Sequence, residues 1–233
     1  NSTAFAKQAG PNSSFAKSDS LDRGYIDSLD FKVDGKQVDW SFHPEWKDVI
    51  KIELNQPLEP GKTSDIETPF FVKIPKVFSR LGHTGKHYEI TQWYPKPAVY
   101  DHKGWHPMPY LNQGEFYSEF GTFDIKITLP KDYRVMATGD LVNGQDEYFW
   151  LDSLTTLTDS LNSLSKDQLK KWVETKEKTK LEIKDTDTSS LSSELKTLHF
   201  RQTNVHDFAW FADKKWLVQK GELLLSSKEK PIT

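Results

Sequence analysis

The segment from Tyr88 to Phe123 places the strongest constraint on the fold of this chain, because it cannot form a helix. Prolines stand at positions 95, 97, 107 and 109, and a proline inside a helix removes a backbone hydrogen bond and clashes with the preceding turn. The segment is also dense in aromatic rings, and it lacks the polar–apolar alternation of a half-buried strand. We therefore expect it to present side chains at a surface or at the edge of a site.

Outside this segment, much of the chain shows the pattern of short strands. Asp34 and Gly35 separate two strand-like runs, which predicts a two-residue hairpin turn. Further strands are predicted at residues 49–54, 66–74, 89–93, 122–129, 133–138, 196–202 and 216–225. In the run 122–129, the odd-numbered residues from 123 are apolar and should share one face. Many short strands with frequent turns favour a mostly-β fold, and specifically a saddle-like β-sandwich.

Residues 143–195 differ from the rest in composition, because they are rich in Ser, Thr, Asp, Lys and Leu and nearly free of strand signals. Ser165 and Gln168 have the spacing of a capping box, in which each side chain bonds a backbone amide at a helix start. A charged helix is therefore predicted at about residues 166–178. We expect residues 1–233 to form a single β domain with a helical, polar insertion at about 143–195.

Composition excludes several classes of function. The net charge is −3 and the chain has no clustered Arg, so nucleic-acid binding is not expected. With 0 Cys, disulfides, zinc–thiolate sites and Cys nucleophiles are impossible. No apolar run approaches the ~20 residues that a membrane-spanning helix needs, so no membrane span is expected.

Two pairs of His residues have a spacing that could suggest a metal site. His83 and His87, like His102 and His106, are four residues apart, and on a helix this would place both imidazoles on one face. Each pair has a Gly inside it, Pro107 follows the second pair, and the general-base Glu is missing. We interpret all four as loop or surface residues and predict no metal ligand in this chain.

Carboxylates in the same part of the chain could in principle supply a pair of the glycosidase type, which needs two carboxyl groups at a suitable distance. The candidates are Glu89, Asp101, Glu115, Glu119 and Asp124. Sequence does not give the distances between them, and most such residues are solvated charges on strand faces. No catalytic residue is predicted.

Aromatic side chains in the loop 93–117 allow two interpretations. Flat rings with a polar tip can form a platform that stacks on a sugar or a peptide, or they can fill the core where the loop folds over a sheet. The rings concerned are Trp93, Tyr94, Tyr100, Trp105, Tyr110 and Tyr117. The first interpretation makes the chain a free-standing β-sandwich module that binds carbohydrate or peptide through this loop. A purely structural domain that contacts its neighbours is a third hypothesis.

Several motifs, in their order along the chain, resemble the amino-terminal domain of aminopeptidase-N-type zinc metallopeptidases (gluzincins). They are Thr91-Gln92 at a strand end, Gly104-Trp105-His106-Pro107, the run from Phe123 to Pro130, Ala137-Thr138-Gly139-Asp140-Leu141, and the segment Asn204 to Asp213 with its Asp-Phe-Ala-Trp core. The early runs Thr3-Ala4-Phe5-Ala6 and Asp22-Arg23-Gly24-Tyr25-Ile26 are similar to exported bacterial members in particular.

The resemblance implies a β-rich saddle that packs on a thermolysin-like catalytic domain. The zinc-binding His-Glu-x-x-His helix of that domain is expected beyond Thr233, so the catalytic domain is absent from this chain. Zinc is accordingly expected in the missing domain and no cofactor in this part, which should be inactive alone. The partners implied are the peptide substrate and the chain's own catalytic domain. The localisation implied is exported, periplasmic or associated with the cell envelope.

Two substrate-binding residues follow from the resemblance. Gln92 matches the Gln that this domain projects toward the first side chain of the substrate, and a side-chain amide both donates and accepts hydrogen bonds. Tyr94 stands where many members carry Glu or Gln to hold the substrate's α-amine. A tyrosine has no charge to pair with an ammonium, although its ring can offer a cation–π contact, so strict aminopeptidase specificity is in doubt.

Overall fold

The structure is a computed structural model that describes residues 3–182 and 192–216. The described residues form sixteen strands, four α-helices and two 3-10 helices, which confirms the mostly-β class. Two compact units are present: Asn1–Phe123 with Gln202–Phe211, and Asp124–Arg201 with Ala212–Thr233. The predicted strand at 216–225 lies outside the described residues from position 217 onward. Within the described ranges, no helix is both long and apolar enough to cross a bilayer.

The first unit begins with short helices and continues in short strands. The helices are α1 (Ala4–Ala9), α2 (Ser14–Lys17) and a 3-10 turn at Ser20–Asp22. The strands are β1 (Tyr25–Asp27), β2 (Lys32–Val33), β3 (Lys36–Gln37), β4 (Trp40–Phe42), β5 (Ile50–Ile52), β6 (Ile66–Glu67), β7 (Phe71–Lys73), β8 (Gly82–Thr84), β9 (His87–Ile90), β10 (Val99–Asp101) and β11 (Gly104–His106). Antiparallel pairing gives the orders β1-β7, β3-β2-β6, β4-β5 and β10-β11, and β8 pairs with β9.

The predicted hairpin at Asp34-Gly35 is confirmed. Lys32 lies opposite Gln37 and Val33 opposite Lys36, so the connection has two residues. Asp34 has φ 50° and Gly35 has φ 74°, and the type I′ turn requires positive φ at both positions. The predicted single strand at 66–74 is wrong as one element, because Pro69 between β6 and β7 cannot donate to a ladder.

One hydrophobic cluster of the first unit is formed around this hairpin. Phe31, Val33 and Val38 are buried, and partly buried apolar residues pack against them: Leu29, Trp40, Ile50 and Ile52. The ring of Trp40 meets Phe31 edge-on with centroids 5.8 Å apart. The alternation of the sequence on either side of the turn thus places its apolar residues on one face.

The second unit is built on two long strands. The elements are β12 (Gly121–Pro130), β13 (Arg134–Ala137), β14 (Asp140–Leu141), a 3-10 turn (Gln145–Tyr148), α3 (Phe149–Asn162), α4 (Lys166–Glu182), β15 (Leu195–Val205) and β16 (Trp210–Asp213). Three of these strands, β12, β15 and β16, also include residues of the first unit. One sheet has the order β12-β15-β14. In β12 the odd-numbered residues from 123 to 129 are less exposed than their neighbours, as predicted.

The predicted helix near 166–178 is confirmed as α4, together with its capping box. The amide of Ser165 donates to Gln168 Oε1 at 2.9 Å, and the amide of Gln168 donates to Ser165 Oγ at 3.3 Å. Helix α3, which is rich in Ser and Thr, was not predicted, because only the capping-box helix was recognised in the insertion. Several Ser and Thr hydroxyls of α3 donate to the carbonyl four residues earlier in the same helix, as Thr155 does to Leu151 at 2.9 Å. These side chains therefore do not offer the backbone an alternative to the helix.

Candidate functional site

The backbone after β9 turns sharply at Gln92. The strand ends at the buried Ile90, so the prediction of a strand through Trp93 is wrong in its last residues. Gln92 has φ 50°, a left-handed conformation that costs a residue with a Cβ about 1–2 kcal/mol. The turn is held in place because the indole N–H of Trp93 donates to the carbonyl of Phe208 at 3.1 Å, and Phe208 is fully buried. Strained backbone of this kind persists where the surroundings hold it, and it is frequent at functional sites.

The side chain of Gln92 contacts the carboxylate of Glu115. Gln92 Nε2 donates to Glu115 Oε2 at 3.3 Å, while the guanidinium of Arg80 pairs with the other oxygen, Oε1. The Glu115 side chain is 70% exposed. Gln92 Oε1 is buried and has no hydrogen-bond partner among the described residues. The Glu115 carboxylate is thus exposed but shared by Arg80 and Gln92, so a ligand that binds it needs N–H donors that share these oxygens.

Tyr94 has a different set of contacts. Its hydroxyl donates to Asp207 Oδ1 at 2.8 Å, and the same oxygen accepts from the amide of Phe208 at 2.9 Å. Burial raises the pKa of the Tyr94 hydroxyl well above its ordinary value of 10.0, and the hydrogen bond to the Asp207 carboxylate raises it further. Tyr94 is therefore a neutral donor across the physiological pH range.

Lys96 completes the group around Tyr94. Its ammonium lies 3.2 Å from Asp207 Oδ1 and 5.7 Å from the centroid of the Tyr94 ring, and only 17% of its side chain is exposed. The sequence suggested that the Tyr94 ring makes a cation–π contact with a substrate amine. In the structure this ring already lies next to the Lys96 ammonium. The two predicted substrate-binding residues have distinct neighbours: Gln92 contacts Glu115, and Tyr94 contacts Asp207 and Lys96.

Neither His pair lies on a helix, as the Gly and Pro residues around them predicted, but the interpretation as loop or surface residues is wrong for His83, His87 and His106, which are partly buried on strands. His83 is on β8, opposite Tyr88, and His87 is on β9. His102 is in the turn between β10 and β11, whereas His106 on β11 contacts Asp101 at 2.8 Å. Among residues 3–182 and 192–216, no three His, Asp or Glu side chains come together in a group that could hold a metal ion. The donor sets around these His residues do not fit a zinc centre.

Some aromatic rings of the loop 93–117 are packed in the fold and others are exposed, so neither the core interpretation nor the platform interpretation fits all of them. Trp93 and Tyr94 are half-buried and hydrogen-bonded to residues 207–208, and Tyr110 packs against the buried Phe5 with centroids 5.5 Å apart. Tyr100 and Trp105 are 67% and 65% exposed. They lie opposite each other on β10 and β11 with ring centroids 5.0 Å apart.

Sequence reasoning missed the partners of both predicted residues. Glu115 lies 23 positions from Gln92, and Asp207 lies 113 positions from Tyr94. Glu115 was recognised only as one of several carboxylates, and Asp207 only as part of the Asp-Phe-Ala-Trp segment. No spacing rule links residues so far apart, so only the structure could show that they meet.

Comparison with known proteins adds no identification: no family model matches the sequence, and no curated protein and no solved structure was found to be similar to it. The function must therefore be argued from the residues around Gln92 and Glu115.

Proposed function

We propose that this chain is the non-catalytic amino-terminal domain of a zinc-dependent aminopeptidase of the aminopeptidase-N type, and that it walls the active-site cleft and helps to hold the amino terminus of a peptide. One observation carries the proposal. The backbone at Gln92 is held in a left-handed conformation, and this places its side-chain amide against the exposed carboxylate of Glu115.

The chemistry of this pair suits a protonated α-amine. An ammonium group is a donor only and needs acceptors, preferably anionic ones. Glu115 contributes an exposed carboxylate, one oxygen of which already pairs with Arg80, and Gln92 Oε1 is a buried acceptor without a partner among the described residues. In this proposal Glu115, next to Gln92, takes the role of the acid or amide that the resemblance leads us to expect where Tyr94 stands.

In this proposal Tyr94 supports the site indirectly. Its bond to Asp207 at 2.8 Å ties the Gln92 turn to residues 207–208, so that the amide of Gln92 stays in place. The same proposal takes the sheets to form a saddle-like sandwich, places the zinc ligands and general base in a catalytic domain outside residues 1–233, and assigns the parent enzyme to the exported bacterial members.

A binding experiment tests the amine site. We expect leucine amide to shift the NMR signals of Gln92 and Glu115, and N-acetyl-leucine amide, which lacks the charged amine, to leave them unmoved. Because a hydrogen bond to a charged group contributes about 1.5–3 kcal/mol, Glu115→Gln should weaken binding about 10- to 100-fold. Glu119→Gln, a change at another exposed carboxylate of the same segment, is the control. Equal response to both amides would refute the amine site.

A second experiment tests the non-catalytic assignment. Purified chain with added zinc should not hydrolyse an aminoacyl anilide, since its described residues supply no zinc-binding set. Zinc-dependent turnover that survives repurification and is abolished by a chelator would contradict the assignment.

The exposed pair Tyr100 and Trp105 favours a second candidate, a module that binds carbohydrate or peptide through stacking. Trp105→Ala should then abolish retention on a polysaccharide or peptide column, while Gln92→Ala should leave it unchanged. The aminopeptidase proposal expects no retention of the unaltered chain on a polysaccharide column, nor on a column of peptides whose amino termini are blocked.

A further inference from the structure

The loop that carries Glu115 is held by the first helix of the chain. Gln8, on α1, accepts hydrogen bonds through its Oε1 from the amides of Asn112 and Gln113, at 3.0 and 3.2 Å. Only Gly114 separates Gln113 from Glu115, and its φ of 121° is one that residues with a Cβ rarely adopt. The backbone just before Glu115 is therefore held by two amides that both donate to the Gln8 side chain, while Arg80 and Gln92 contact the Glu115 carboxylate itself.

A hydrophobic contact fixes α1 on the same loop. Phe5, on α1, is 8% exposed, and its ring lies 5.5 Å from that of Tyr110 and 5.1 Å from that of Phe15. The amide of Tyr110 in turn donates to a carboxylate oxygen of Asp48 at 2.6 Å. Phe5 and Asp48 thus anchor the start of the loop, and Gln8 anchors the residues next to Glu115.

We propose that Gln8 is a positioning residue of the Gln92–Glu115 site: it sets the place of the Glu115 carboxylate through the amides of Asn112 and Gln113. This inference rests on the proposed function, because it assigns Gln8 a role in presenting the amine-binding carboxylate. Its structural part, that Gln8 controls the contact between Glu115 and Gln92, can be tested without any ligand.

Two substitutions separate this role from a role in folding. Gln8→Ala removes the acceptor while preserving α1, since alanine has the highest helix propensity. Gln8→Glu retains an acceptor oxygen of the same reach and should rescue the contact. Lys7→Ala, at an exposed neighbour on the same helix, is the matched control.

The first measurement is made on the ligand-free protein. In Gln8→Ala, amide exchange at Asn112 and Gln113 should accelerate by about two- to tenfold. This factor corresponds to the free energy of one ordinary hydrogen bond. The side-chain amide signals of Gln92 should move toward their positions in Glu115→Ala. Gln8→Glu and Lys7→Ala should retain the original signals. If the Gln92 signals in Gln8→Ala do not move, Gln8 does not position Glu115 and the inference is wrong.

The second measurement uses leucine amide as the probe. Affinity should fall several-fold in Gln8→Ala and return in Gln8→Glu. If the unaltered protein does not bind the probe, the proposed function fails, and the amide-exchange and Gln92 signals still decide the positioning role. If it binds and Gln8→Ala binds equally well, the inference fails while the proposed function stands.

Discussion

The hydrogen bond between Tyr94 and Asp207 gives the sharpest test of how the site is supported. The Tyr94 hydroxyl donates to Asp207 Oδ1 at 2.8 Å, and the tyrosine is only partly exposed. Tyr94→Phe removes the hydroxyl and keeps the ring, so the packing of the ring against Phe123, with centroids 5.9 Å apart, is retained. The change in the free energy of unfolding then reports mainly the lost bond.

The magnitude follows from the other contacts of Asp207. A hydrogen bond to a charged group contributes about 1.5–3 kcal/mol, and loss of one partner is most destabilising when it leaves a buried charge unpaired. In Tyr94→Phe the carboxylate keeps Lys96 at 3.2 Å and the Phe208 amide at 2.9 Å. We therefore expect a loss near the lower limit, about 1–2 kcal/mol. Asp207→Asn should destabilise the protein more, because it leaves the Lys96 ammonium without its counter-charge.

A double-mutant cycle measures the coupling between the Tyr94 hydroxyl and the charge of Asp207, because asparagine keeps an acceptor oxygen. Urea unfolding, followed by tryptophan fluorescence, is compared for the unaltered protein, Tyr94→Phe, Asp207→Asn and the double variant. We expect a coupling energy of about 1 kcal/mol, since residues in one hydrogen-bond network are not additive. Tyr117→Phe, at an exposed tyrosine in the same segment, is the control and should be close to neutral. Additive effects of Tyr94→Phe and Asp207→Asn would refute the claim that this bond holds the Gln92 turn.

The same bond predicts a dependence on alkaline pH. The pKa of Tyr94 is raised in the folded protein above the ordinary 10.0 of the unfolded chain. A raised pKa gives a stability contribution that is complete below pH 10 and is lost as the pH rises above it, because the unfolded state ionises first. Tyrosinate absorbance should therefore show one tyrosine that titrates later than the rest. That late component should be missing from Tyr94→Phe, and its persistence there would assign it to another residue.

Three further predictions concern local structure. The pKa of Asp101 is held below its ordinary 3.8, first by the hydrogen bond with His106, so His106→Ala should raise it in a carbon-detected NMR titration; the corresponding stability is present above pH 3.8 and is lost as the pH falls. Ser165→Ala should destabilise α4 by about 1 kcal/mol, visible as faster amide exchange in its first turn and not in α3. Gly35→Ala should destabilise the β2–β3 hairpin by about 1–2 kcal/mol in urea unfolding, since φ there is 74°.

The sequence predicted local elements whose causes are themselves local. The Asp34-Gly35 turn, the alternation in β12 and the capping box of α4 each depend on residues within a few positions of one another, and all three are confirmed. The strand predictions erred where one residue overrode the pattern: Pro69 divides the run 66–74, and the left-handed backbone at Gln92 ends the strand before Trp93.

The candidate site could be predicted only in part for the same reason. Gln92 was named from a motif at a strand end, but its partner Glu115 lies far along the chain. Gln8 and Asp207, which contact Asn112 and Tyr94 and not Gln92 itself, are also distant in the sequence. An exposed Glu has no pattern that distinguishes it from other surface carboxylates. Contact between residues so far apart is decided by tertiary packing, which a single sequence does not encode in any short motif.

The division of the aromatic rings separates the two candidate functions. If the loop 93–117 were one platform, its rings should be exposed together, but Trp93 and Tyr94 are tied to residues 207–208 while Tyr100 and Trp105 are exposed on a hairpin. The half-buried rings of Trp93 and Tyr94 stabilise the turn at Gln92, and a turn with positive φ needs such support to persist. The loop therefore fixes one polar side chain in place, which an amine-positioning site requires and a stacking platform does not. A stacking function would depend on exposed rings such as Tyr100 and Trp105, and substitutions there should leave the Gln92–Glu115 contact intact.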